Sequence, residues 1–191
     1  MSPRTEQQFE EIREKRKKDI LDTALELFAN EGFSTTSISK IAVKAGISKG
    51  LLYNYFDSKE DLIKKIIFNG IDRLTRFVDP NQDGLLTRQE LKYFIEEMFS
   101  ALRKEPYYWK LYFSLFIQPH VLAQVEKRLG VMVHTYMMML SEYFTRTGSE
   151  DPETDAIFFG ALLDGIAFQF IVDPEKFPLE KVKNKLIKMY C

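Results

Sequence analysis

At 191 residues, with 45% hydrophobic and 14% aromatic side chains, the chain has apolar surface for one large domain or for a small domain joined to a larger one. Its 27 basic and 28 acidic residues nearly cancel, to −1, so a nucleic-acid partner would have to meet a local basic surface rather than a global positive field. The lone cysteine, Cys191, excludes an intrachain disulfide and fits a reducing, cytoplasmic setting.

The N-terminus lacks the apolar stretch of a secretory signal. No run reaches the roughly 20 apolar residues of a bilayer span. The longest candidate, Ile157 to Val172, is interrupted by Asp164 and Gln169, so no membrane partner is expected.

In chain order, basic side chains cluster first at Arg13, Lys15, Arg16, Lys17 and Lys18, interleaved with Glu10, Glu11, Glu14, Asp19 and Asp22. Such a mixture reads as a solvated helix face. Lys18 to Asn30 is predicted to be an amphipathic helix, with Ile20, Ala24, Leu27 and Phe28 on one face and Gly32 ending it. Two short helices follow within Thr35 to Lys59. Ile38, Ile41 and Ala42 give the first its apolar face. Gly46 supplies the positive φ of the corner, and Ser48 can cap the second. That is the plan of a helix-turn-helix, whose second helix enters the DNA major groove.

Ser58 caps a fourth helix, with Asp61 in a near capping box and Leu62, Ile66, Ile67, Ile71 and Leu74 continuing its stripe to about Phe77. We read it as a connector. Asp79 to Gly84 is a loop. Thr87 to about Leu102 is a helix with Leu91, Phe94, Ile95, Met98 and Phe99 inward. Pro106 starts an aromatic-rich helix that stops near Pro119, and Val121 to Phe144 is long and Met-rich. After the Thr147-Gly148-Ser149 break, Pro152 suits a first helical turn. Ala156 to Ile171 is apolar almost all round, and Leu179 to Met189 is an amphipathic terminal helix beyond the Asp173-Pro174 break. No strand is expected.

The segment from Phe28 to Leu62 resembles the TetR family of bacterial transcriptional regulators. The resemblance rests on Phe28-Ala29-Asn30-Glu31-Gly32-Phe33, Thr36-Ser37-Ile38, Ile41-Ala42, Ala45-Gly46-Ile47-Ser48, Gly50, Leu52-Tyr53, Tyr55-Phe56 and Ser58-Lys59-Glu60-Asp61-Leu62, in order. It covers roughly the first third of the chain. The expectation is therefore an all-α protein. Residues 1–74 would form a three-helix DNA-binding domain with its connector, and 75–191 a helical bundle for effector binding and dimerisation.

The resemblance implies double-stranded operator DNA as partner and an unidentified small-molecule effector. It further implies repression relieved by that effector, and a homodimer that matches palindromic half-sites. Thr36, Ser37, Ser48, Lys49, Gly50, Tyr53, Tyr55 and Lys59 match the positions that the family uses on DNA. Lys49, at the start of the second helix, can donate to guanine O6 and N7. Gly50 lets the backbone approach. Tyr53, Tyr55 and Lys59 would contact phosphates, as would the helix N-terminus at Thr36 and Ser37. Phe56 is expected in the core.

Beyond that segment the residues must speak alone. Trp109, Tyr112, Phe113, Phe116, His134, Met137 and Met138 are candidates for an effector pocket, since such cavities are mostly apolar with a few polar groups. Phe158, Phe159, Leu162, Leu163, Ile166 and Phe170 surround the apolar helix and suggest a dimer interface. The two histidines have no spacing partner for zinc, and no nucleophile–base pair or phosphate-cradling loop occurs, so an enzyme is not expected.

Asp79, Asn81, Asp83, Leu85, Thr87 and Glu90 fit the calcium loop D-x-[DN]-x-[DN]-G-x5-E of an EF-hand. The same residues also make ordinary turns and a Thr87/Glu90 capping box. No cofactor is required by the DNA-binding reading. The rival reading is a calcium-binding sensor or interaction protein whose helix-turn-helix no longer reads DNA.

Overall fold

The computed structural model describes residues 6–191. The first five residues of the expected N-terminal domain therefore lie outside it. Among the described residues nine helices and no strand occur: α1 (Glu6–Glu31), α2 (Ile38–Lys44), α3 (Lys49–Tyr53), α4 (Lys59–Thr75), α5 (Arg88–Lys104), α6 (Pro106–Phe116), α7 (Pro119–Arg146), α8 (Pro152–Val172) and α9 (Leu179–Tyr190). The chain is all-α, as its sequence implied.

Two compact units form. One comprises residues up to Asn69 together with Ser114–Val125, and the other Gly70–Phe113 with Glu126–Cys191. Helices α4, α6 and α7 each contribute to both.

The first unit is built on α1, α2 and α3. Ile20, Ala24, Leu27 and Phe28 of α1 pack in a core with Ile41, Leu52 and Phe56. Helix α1 begins at Glu6, well before the predicted Lys18. Its early turns lack an apolar stripe, so periodicity misses them. Straight-chain Glu, Gln, Lys and Arg favour the helix there, and Lys17–Glu14 (3.2 Å) and Lys18–Asp22 (2.6 Å) pair along its surface. Gln118 adds a long-range tie: its amide donates to the Phe28 carbonyl (3.0 Å) and accepts from the Phe33 N–H (2.9 Å).

In the second unit, Gly70 of α4 lies against the ring of Tyr112 on α6, where a Cβ would overlap three ring atoms. Trp109 is buried and donates its indole N–H to the Ala101 carbonyl (2.9 Å). Helix α9 joins α5 through Arg103–Glu180 (2.7 Å), and the Tyr143 hydroxyl donates to the Tyr190 carbonyl (2.6 Å).

Helix α8 divides cleanly. Phe159, Leu163, Ile166 and Phe170 are buried within their own unit, Leu162 is half-buried, and Phe158 alone of the six expected interface residues is exposed. An all-round apolar helix hides which face its own bundle covers. The open stripe is instead Ile157 (64% exposed), Phe158 (57%), Phe168 (61%) and Val172 (65%). By length and composition α8 is long and apolar enough to cross a bilayer, contrary to the sequence reading, yet seven of its residues are buried as a core helix.

Candidate nucleic-acid interface

The motif from Ser37 to Tyr53 is held by local bonds that its sequence supplies. Ser37 caps α2 by accepting from the Lys40 N–H (3.2 Å), and Ser48 caps α3 by accepting from the Leu51 N–H (3.1 Å). Between them Gly46 takes φ +67, where a side chain would be strained. Leu52 anchors the inner side of α3 in the core. Ser48, Lys49, Gly50 and Tyr53 are left on the open face. The Lys49 ammonium lies 5.9 Å from the Tyr53 ring centroid, so a cation and an aromatic ring sit together. A Cβ at Gly50 would meet nothing within 4 Å, so the surface there is low and open.

Other expected DNA contacts are placed differently. Thr36 is 1% exposed and its hydroxyl donates to the Gly32 carbonyl (2.8 Å), so it fixes the α1–α2 corner and offers nothing to a phosphate. Ser37 is exposed, with its hydroxyl engaged as the α2 cap. Tyr55 is half-buried, tilted against the buried Phe56. Lys59 is half-buried: its ammonium donates to the carbonyls of Phe33 (2.9 Å) and Ser34 (3.3 Å) and lies over the Phe33 ring. It therefore braces the corner next to the recognition helix. Gln118 escaped sequence reasoning because its partners lie some ninety positions away and no spacing motif announces them.

The second unit encloses a cavity of about 260 Å³. Leu74 and Thr75 of α4, Leu91, Phe94 and Met98 of α5, Phe113 of α6, Tyr136, Met137 and Leu140 of α7, and Leu163, Asp164 and Ala167 of α8 contribute to its wall. Of the seven expected pocket residues, Phe113 and Met137 line it. Trp109 and Tyr112 are core aromatics, Phe116 belongs to the first unit, and His134 and Met138 are exposed. Sequence reasoning missed Asp164, a carboxylate in an otherwise apolar lining. The residue is exposed, and the apolar surroundings of its carboxyl raise it above the usual carboxylate range.

The loop before α5 has the capping box in both directions: the Thr87 N–H donates to Glu90 Oε2 (2.8 Å) and the Glu90 N–H to Thr87 Oγ1 (3.2 Å). Asp79 accepts from the Gly84 N–H (3.0 Å), and Asp83 from the Leu85 N–H (2.8 Å) and the Asn81 amide (2.9 Å). The second Asp79 oxygen is buried and unpartnered. Among the described residues no group of three His, Cys, Asp or Glu could hold a metal. In this arrangement the loop side chains bond to backbone N–H groups and to the Asn81 amide, and one Asp79 oxygen is left without a donor.

Two capped helices meeting at a glycine corner, with a polar recognition face backed by a buried three-helix core, define a helix-turn-helix DNA-binding regulator. A family model described as "Bacterial regulatory proteins, tetR family" matches residues 20–66. The uncharacterized regulator YfiR of Bacillus subtilis is 26% identical over 87% of this chain and 83% of that protein. Among solved structures, NalD, the secondary repressor of the MexAB-OprM multidrug efflux pump of Pseudomonas aeruginosa, shares the fold. It has a TM-score of 0.71 and 22% identity, over 93% of this chain and 94% of that one. FadR of Bacillus subtilis, solved with stearoyl-CoA, shares it with a TM-score of 0.66 and 20% identity, over 91% and 96%. The chain is a TetR-family transcriptional regulator.

Proposed function

We propose that the chain is a cytoplasmic, homodimeric repressor that holds a palindromic operator and releases it when a small molecule fills the cavity of the second unit. The observation that carries the reading is the open face of α3, where Ser48, Lys49, Gly50 and Tyr53 stand exposed while Leu52 anchors the helix from behind. A base-reading lysine at the start of such a helix and a tyrosine one turn on suit a major groove. Regulators with this fold include a repressor and one solved with an acyl-CoA, which supports repression and small-molecule control.

Control would run through α4. Its last turn gives Leu74 and Thr75 to the cavity wall, and its first turns belong to the DNA-binding unit. A ligand that prefers one placement of this helix shifts operator affinity by its difference in binding energy between the two placements. The open α8 stripe of Ile157, Phe158, Phe168 and Val172 is the surface for the second copy, since so much contiguous apolar area is rarely left in water. Light scattering and operator titration test the reading together. The parent chain should be a dimer at micromolar concentration. Phe158→Glu with Phe168→Glu should yield a monomer that grips one half-site and binds the full operator far more weakly. A monomeric parent, or a double variant with parental affinity, contradicts it.

A further inference from the structure

The cavity in the second unit has one charged group in its lining. Asp164 stands among Leu91, Phe94, Phe113, Leu140 and Leu163, and no lysine, arginine or histidine contributes to the wall. The other polar side chains there are Thr75 and Tyr136, and the Thr75 hydroxyl already donates to the Ile71 carbonyl (2.9 Å). No ion pair or hydrogen bond engages Asp164 among the described residues, and the rise of its carboxyl comes from desolvation alone, without an offsetting cation. Asp164 is exposed at the edge of this lining, so an incoming ammonium would meet a carboxylate and no competing cation, with the apolar wall beside it.

We propose that the effector is a compact lipophilic cation, an apolar amine whose ammonium pairs with Asp164 while its body fills the cavity. This rests on the reading of the cavity as the effector site. Size limits the ligand: 260 Å³ lies just below the roughly 300–1,000 Å³ of drug-sized sites, and a cavity of about 150 Å³ already accepts benzene. One ring with a short chain fits. Charge separates the ligand classes. An ammonium gains a charge-assisted bond to Asp164 in a wall that also holds the aromatic side chains of Phe94, Phe113 and Tyr136. A carboxylate or phosphate ligand would face Asp164 with no cation in the wall to answer it.

Three probes of nearly equal shape test this on the full chain by titration calorimetry: phenethylamine, phenethyl alcohol and phenylacetate. The amine should bind about tenfold tighter than the alcohol, as expected of a hydrogen bond to a charged group, and phenylacetate should bind weakest. Asp164→Asn should bring the amine down to the level of the alcohol, and Asp164→Glu should keep the preference. If the alcohol binds and the amine binds no tighter, the cation proposal fails while the effector cavity stands. Tighter binding of phenylacetate than of the amine, or an Asp164→Asn variant that retains the amine preference, overturns it as well. If none of the three binds at millimolar concentration, the cavity reading and the proposal fall together.

Discussion

Gly70→Ala sets two effects of opposite sign against each other. Gly70 lies inside α4, and alanine in a helix interior is favoured over glycine by about 0.8–1 kcal/mol. Propensity alone therefore predicts a more stable protein. The structure predicts the reverse, because the new Cβ would overlap three atoms of the Tyr112 ring. That ring cannot swing aside. It is buried, stacked on Tyr108 (6.1 Å between centroids) and met edge-on by Trp109 (5.5 Å) and Phe113 (5.7 Å).

Overpacking of a well-filled core costs about 1–3 kcal/mol, and the confinement of Tyr112 places this case at the upper end. Subtracting the propensity gain leaves a net loss of about 2 kcal/mol, or roughly 4–8 °C in melting temperature for a chain of this length. Thermal denaturation followed by circular dichroism measures it. In a Tyr112→Leu background the overlap is gone, and Gly70→Ala should become neutral or stabilising, giving a coupling of about 2–3 kcal/mol. A higher melting temperature for Gly70→Ala in the parent background would refute the packing argument.

Gln118→Ala should cost about 1–2 kcal/mol in chemical denaturation. It strands the Phe33 N–H, whereas the Phe28 carbonyl keeps the Gly32 N–H as a donor (3.1 Å). Lys49→Ala should weaken operator binding by about 1–3 kcal/mol at an unchanged melting temperature. Lys59→Ala should lower the melting temperature, because it frees two carbonyls and uncovers the Phe33 ring. If the ammonium also meets a phosphate, the salt slope flattens by about one unit. Thr87→Ala should cost about 1 kcal/mol through loss of the α5 cap, and if the loop is only a turn and cap, millimolar calcium leaves the parent's melting temperature unchanged; a calcium-dependent rise abolished by Glu90→Gln would establish the EF-hand reading. Asp164→Asn should stabilise the chain at neutral pH. A carboxyl raised on folding binds its proton more tightly in the native state, so stability falls as pH climbs above the unfolded value of 3.8, and the gain from the amide should vanish in acid below it.

The motif was legible because its determinants are local. Ser37 and Ser48 cap their helices, Gly46 turns the corner and Phe56 is core, each within a few residues of the signal that announces it. What stayed hidden depends on distant partners. Thr36 and Lys59 read from sequence as ligands for phosphate, and the sequence gives no sign that the Gly32, Phe33 and Ser34 carbonyls also engage them. The apolar circumference of α8 could not say that Phe159, Leu163, Ile166 and Phe170 pack within their own unit and leave Phe168 outside. Aromatic stripes on α6 looked like a pocket, but a cavity is where packing fails, and here Phe113 borders it while Trp109 and Tyr112 fill the core beside it. In the Asp79–Glu90 loop the residue types that ligate calcium are also those that make turns and caps, and the turn and cap bonds are the ones formed here.

Whether the face of Ser48, Lys49, Gly50 and Tyr53 reads DNA is tested most directly by selecting bound duplexes from a random pool and titrating the winner at several salt concentrations. The expected result is an inverted repeat with half-sites about 34–36 Å apart, bound with an affinity that falls steeply and linearly in log salt. Enrichment of no common sequence, or an affinity indifferent to salt, would contradict it.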